Sequence, residues 1–170
     1  MNEVDSVPTA AQLMNRRVQT VTSEMSLMEA TRFLLKHQIS NAPVVQGPET
    51  DGHPLLLGFV SEQDCLEHLS NEIFFGRPVA PHTVETIMRR HPVCVSPADD
   101  AFALSSIFVS HGYRHLPVVE DGRLLGIVSR RDILRSLEIF YHHWQQQQDR
   151  ENFPPDWREL INLRFLFGGH

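Results

Sequence analysis

The chain contains the same pattern twice. LMNRRVQTVTSEMSLMEATRFLLKHQISNAPVV at 13–45 lies without a gap over IMRRHPVCVSPADDAFALSSIFVSHGYRHLPVV at 87–119, every aligned pair 74 positions apart. Met14/Met88, Arg16/Arg90, Val21/Val95, His37/His111 and Pro43-Val44-Val45/Pro117-Val118-Val119 are identical. LLGFVSEQDCLEHL at 56–69 then matches LLGIVSRRDILRSL at 124–137 at a spacing of 68, so the first copy carries six extra residues in the loop between. One supersecondary unit of about 55 residues, used twice, accounts for most of the chain.

Each copy reads β-α-β-β-α, a mixed α/β (α+β) unit. Val18–Val21 and Val93–Val95 are short strands. Ser26-x-x-Glu29 is a capping box for the helix that follows, and Asp100 caps its counterpart. Leu27, Ala30 and Leu34 recur as Ala101, Leu104 and Phe108, the apolar stripe of a helix burying one face. His37 and His111 close these helices, in a position to cap their C-termini. LPVVEDGRLLGIVS predicts two strands about a type I′ turn at Asp121-Gly122, while Asp51-Gly52 falls inside a longer, exposed loop. The last helix is expected to run on through LRSLEIFYHHWQQQQDR to a stop at Pro154-Pro155, with a second short helix over 157–167. The expected organisation is a segment 1–9, a first repeat 10–70, a linker 71–83 whose Ile73, Phe74 and Phe75 pack down, a second repeat 84–138 and a helical tail 139–170.

Fifteen Lys plus Arg against 21 Asp plus Glu give a net charge of −6, which lacks the basic footprint of a general nucleic-acid binder. Arg16-Arg17 and Arg89-Arg90-His91 are the local clusters on which such binding would rest. The acidic start MNEVDSVPTAAQ is no secretory signal and no stretch reaches the ~20 apolar residues of a membrane span, so a cytoplasmic location without membrane insertion is expected. Cys65 and Cys94 fit a reducing compartment, each as a small buried hydrophobe. Of the ten histidines, His142-His143 point about 100° apart on a helix and cannot face one ion together, so no metal site is expected.

The strongest chemical signal is Gly58-Phe59-Val60-Ser61-Glu62-Gln63-Asp64 and its partner Gly126-Ile127-Val128-Ser129-Arg130-Arg131-Asp132, each where a strand hands over to a helix. Free N–H groups and the positive end of the helix dipole suit a phosphate there, and a carboxylate one turn in suits a ribose diol. The same S-x-x-D spacing is equally a capping box needing no ligand. Together with the h-P-V-V strand and the V-x-V-S/T strand before a helix, the doubled G-h-h-S-x-x-D motif resembles a tandem CBS-domain pair, or Bateman module, over about residues 10–138. The resemblance implies a pseudo-twofold disc with two clefts between the repeats, adenosine nucleotides or related adenosyl ligands in those clefts, and regulation of another protein. It implies ribose-binding roles for Asp64 and Asp132 with Ser61 and Ser129 beside them. It places Val21-Thr22 and Val95-Ser96 at the adenine border and Ala42-Pro43 and Leu116-Pro117 in the apolar wall; each proline equally suits the start of an edge strand.

The copies differ in charge: Arg114-His115 replace Ser40-Asn41, and Arg130-Arg131 replace Glu62-Gln63. A phosphate should prefer whichever cleft gathers Arg114, His115, Arg130 or Arg131, and the Glu62 side should disfavour a polyphosphate, giving one good site and one weak or altered one. Against this, Arg130-Arg131 also read as a solvated helix face. No G-x-S-x-G elbow or phosphate loop is present, and duplicated polar residues suit binding better than catalysis, so no enzyme activity is expected. The expected function is sensing of AMP, ADP, ATP or a related adenosyl ligand, with no required cofactor, by a homodimer that transmits occupancy to an unidentified regulated protein. The alternative is a ligand-independent docking module acting through the aromatic tail.

Overall fold

The computed structural model describes residues 7–46, 52–76 and 82–152. In chain order the elements are α1 (Ala10–Leu13), β1 (Val21–Thr22), α2 (Leu27–His37), β2 (Asn41–Gln46), β3 (Leu55–Ser61), α3 (Glu62–Phe75), α4 (Val84–Ile87), β4 (Arg89–Arg90), α5 (Ala101–His111), β5 (His115–Glu120), β6 (Arg123–Ser129) and α6 (Arg130–Asn152). The expected β-α-β-β-α order is present twice, with the first strand reduced. Val21 pairs in parallel with Val44, and in the second copy Val95 alone makes the matching bridge to Val118.

Local chemistry sets the helix starts. The Glu29 carboxylate accepts from Ser26 N–H at 2.8 Å and Ser26 Oγ accepts from Glu29 N–H at 3.3 Å, the capping box read from the sequence. Asp100 Oδ1 accepts from Ala103 N–H at 2.9 Å. The helices end at His37 and His111, as expected, but the capping residue is the next one in each. Gln38 and Gly112 take the left-handed conformation, φ 54° and 66°, that closes a helix. The His37 ring instead packs at a tilt against Phe33, and the His111 ring lies 3.3 Å from the Ile107 carbonyl. Asp121 and Gly122 both have positive φ, as a type I′ turn requires.

One sheet runs in the order β1-β2-β3-β6-β5, with β4 also paired to β3. Its two hairpins pair where their ends touch, at Leu55 and Arg123. The segment leading into each repeat crosses to the other unit. Arg89 and Arg90, which precede the second repeat's helix, pair with Phe59 and Gly58 of the first. Asn15 pairs with Ile127 of the second. Ala10 and Met14 therefore belong to the core of Val95, Leu104, Phe108, Leu116, Val118 and Val128, whereas Val84, Ile87 and Met88 complete the core of Val21, Leu34, Ala42, Val44 and Val60.

The crossing explains the glycine that opens each G-h-h-S-x-x-D motif. A Cβ on Gly58 would stand 2.5 Å from the Arg89 carbonyl oxygen, and one on Gly126 would stand 2.8 Å from that of Asn15. Only a residue without a side chain lets the crossing backbone lie against the strand.

Two expectations are corrected. Cys65 is buried but Cys94 is exposed, because Cys94 precedes a single bridge residue and its neighbour Val95 takes the inward position. The expected linker begins as helix: α3 continues to Phe75, and Ile73, Phe74 and Phe75 are 81%, 82% and 67% exposed where they were expected to pack down. Helix α6 does run past the repeat, with Phe140 edge-on to Phe102 and Tyr141 stacked on Trp144. Asp51, Pro78, Pro81, the Pro154-Pro155 stop and the 157–167 helix lie outside the described residues.

Candidate functional site

The site is built at two junctions. Where β3 becomes α3, Ser61 donates to Asp64 Oδ2 through its N–H, at 2.9 Å, and through its hydroxyl; Asp64 N–H donates to Ser61 Oγ at 3.2 Å. Where β6 becomes α6, Ser129 and Asp132 repeat the arrangement at 2.9 and 3.3 Å. The capping box is thus formed in both copies, and it uses only Oδ2 of each carboxylate. The leading N–H of each helix is taken as well: Glu62 N–H donates to the Ser40 carbonyl and Arg130 N–H to that of Arg114. This narrows the expected open helix start, since two N–H groups of its first turn are satisfied within the fold.

The second carboxylate oxygen distinguishes the copies. Asp64, buried to 7% exposure, accepts on Oδ1 from Arg89 Nε at 3.0 Å. Asn15 occupies the position 74 residues before Arg89, and its Oδ1 instead accepts from the Arg17 N–H. Among the described residues no donor contacts Asp132 Oδ1.

A cavity of about 600 Å³ opens over Asp64, walled by Phe59 and Ser61 of the first unit, by the crossing run Arg89–Val93, and by Tyr113, Arg114 and Pro117 of the second. One of about 460 Å³ opens over Asp132, walled by Ile127 and Ser129, by Asn15 and Arg17–Gln19, and by Pro43 of the first unit. Ser40, Asn41 and His115 face both. Asn41 Nδ2 donates to His115 Nδ1 at 3.3 Å; the two are matching positions of the repeat, so their contact lies at the pseudo-twofold axis between the clefts. Burial pushes the His115 ring below its ordinary value, Arg114 and Arg130 push the same way, and Asp132 opposes them.

Of the residues singled out in the sequence, Ser61, Asp64, Arg114, His115 and Pro117 meet in the first cavity, and Pro43, Ser129 and Asp132 with His115 in the second. Val21, Ala42, Val95 and Leu116 are buried in the two cores, at most 3% exposed, and stand in neither wall. Thr22 is exposed, and exposed Ser96 makes a turn in which its N–H donates to Asp99. Arg130 and Arg131 are exposed and line neither cavity, so their side chains follow the solvated-face reading.

The expected separation of Glu62 from the arginines is not seen. Because each unit's serine–aspartate turn faces the other unit's proline strand, Arg114 lies with Glu62 and Asp64, and the Glu62 side becomes the arginine-rich one. Arg89, Arg90 and His91 belong to this cavity too; the sequence offers them only as a basic cluster, and the crossing of β4 is what brings them to the site.

An internally duplicated α/β protein with a pair of clefts between its halves is thereby defined, and the comparisons place it in a family. The CBS domain model matches residues 10–71 and 84–139. The chain belongs to the CBS domain family, with two CBS domains in tandem. Among curated proteins it is 24% identical over 142 residues to the uncharacterized protein MJ1225 of Methanocaldococcus jannaschii, covering 82% of this chain and 47% of that one. It is 30% identical over 134 residues to inosine-5'-monophosphate dehydrogenase of Korarchaeum cryptofilum, covering 78% of this chain but 25% of the dehydrogenase. The chain thus spans about half of the first relative and a quarter of the second.

Among solved structures it resembles CBSX2 in complex with AMP, with a TM-score of 0.64 and 25% identity over 77% of this chain and 96% of that one. It also resembles the CBS domain pair of MJ0100 in complex with 5-methylthioadenosine and S-adenosyl-L-methionine, with a TM-score of 0.59 and 25% identity over 76% and 98%. Among the described residues no helix is long and apolar enough to cross a membrane, and no group of three His, Cys, Asp or Glu is placed to hold a metal ion.

Proposed function

We propose that this chain is a regulatory sensor of adenosine ligands, AMP, ADP, ATP or a related adenosyl compound, taken up in the clefts between its two CBS domains. The observation that carries the reading is the pairing in each cavity of one unit's serine-held carboxylate with the proline strand of the other, at Asp64 with Pro117 and at Asp132 with Pro43. A ligand whose ribose sits on the carboxylate and whose base leans on the opposite strand touches both units at once. Occupancy then favours one arrangement of the two units and alters the surface offered to a regulated protein. The AMP complex of CBSX2 and the adenosyl complex of MJ0100 support this ligand class. A second copy of the chain is the partner we favour for the outer helices, where the matched pairs Leu35/Val109 and Leu66/Leu134 are exposed.

Thermal unfolding with AMP, ADP, ATP and S-adenosylmethionine tests the reading. A ligand at about 100 times its Kd adds about 2.7 kcal/mol, a shift of several degrees for a chain of this size. Asp64→Ala and Asp132→Ala should each remove one class of binding event. No shift from any of these ligands at millimolar concentration, on folded protein, would reject the sensor and favour docking through exposed Tyr141 and Trp144.

A further inference from the structure

The two clefts present their carboxylates in different states. An ionised carboxylate offers about four lone-pair sites. On Asp64, Ser61 N–H and Ser61 hydroxyl use those of Oδ2, and Arg89 Nε uses one on Oδ1. On Asp132, which lines the second cavity, the Ser129 pair uses Oδ2, and among the described residues no donor takes Oδ1. A ribose cis-diol donates two hydrogen bonds. Asp132 can accept both as it stands, whereas Asp64 has room for one until Arg89 leaves.

The surroundings differ in the same sense. Three arginines, Arg89, Arg90 and Arg114, line the Asp64 cavity against Glu62 and Asp64; Arg17 alone stands against Asp132 in the other. The Arg89 side chain is 65% exposed and holds Asp64 through a single Nε contact. A guanidinium so placed can turn about its own side chain to a phosphate in the same cavity, where its planar fork makes two charge-assisted hydrogen bonds instead of one.

Resting on the reading that both clefts hold a ribose, we propose that Arg89 makes them select different ligands. The Asp64 cleft admits a phosphorylated nucleoside, whose phosphate draws Arg89 off the carboxylate and leaves Asp64 to the diol. The Asp132 cleft takes the nucleoside portion without need of a phosphate. Arg89 is a specificity-determining residue of the first cleft, and its crossing from the lead-in of the second repeat is what puts it there.

Titration calorimetry on single-cleft proteins tests this with adenosine and AMP as the probes. In the Asp132→Ala chain, which keeps the Asp64 cleft, AMP should bind at least about tenfold more tightly than adenosine, the worth of one hydrogen bond to a charged group. Adding Arg89→Ala or Arg89→Gln should tighten adenosine about tenfold while weakening AMP, so that the preference collapses. In the Asp64→Ala chain the two probes should bind alike, and Arg89 substitutions should change neither. The opposite signs are decisive, because a group that only binds phosphate, or only supports the fold, cannot strengthen adenosine binding when removed. Arg89 variants that remain folded by circular dichroism and leave adenosine binding unchanged or weaker would overturn the proposal. Wild-type protein that binds neither probe would reject the ribose reading itself, before any Arg89 substitution is made.

Discussion

His115 faces both clefts, and its environment gives the protein a pH dependence of definite sign. Burial holds its folded-state value below the ordinary 6.5, aided by Arg114 and Arg130 and opposed by Asp132. As pH falls through 6.5 the unfolded chain takes up the proton first, so stability present above 6.5 is lost down to the depressed folded value and is constant below it. His115→Asn should flatten that portion of the curve, as read by urea unfolding at pH 8 and at pH 5.5. Protonation would also set an N–H on Nδ1 against the Asn41 amide that now donates to it. At this scale the sequence is legible where partners are near neighbours in the chain. Ser61 with Asp64 and Ser129 with Asp132 can be read because three residues separate them. Arg89 cannot, because its partner lies 25 residues back and is reached only by a strand that changes unit.

The elements show the same division. Helices α2 and α5 were legible because their caps, Ser26 and Asp100, act within one turn. The leading strands were legible in place but not in extent: two residues on one side and a single bridge on the other suffice when most of the pairing is made by hairpins. Nor does the repeat itself disclose that its lead-in packs on the opposite unit, since both copies do so and the alignment is unchanged. The glycines at that contact give the test. Gly58→Ala must displace the Arg89 carbonyl, and Gly126→Ala that of Asn15, both backbone atoms. Each should cost about 1–3 kcal/mol by overpacking, with Gly58 the costlier for its closer approach. Urea midpoints measure it, and unchanged midpoints would show that the crossing strands yield freely.

For the whole molecule, the exchange means that neither half owns a complete core. Val84, Ile87 and Met88 are missing from a first unit ended at Gly76, and Ala10 and Met14 from a second unit begun after it. Fragments split there should each lack cooperative unfolding when alone and recover it when mixed, as followed by circular dichroism. A fragment that melts cooperatively by itself would show that the borrowed residues are dispensable.

The matched bridges Thr9 with Asp100 and Ser26 with Thr83 show how far this exchange is symmetric, each lead-in docking against the other unit's helix start in the same register. Two separate, identical half-chains could trade their leading segments in the same way without any covalent link. The single chain is in this sense a pair of twins joined end to end. Joined in one chain, the two halves need not be identical, and the asparagine at 15 against the arginine at the matching position 89 is where they differ inside the clefts.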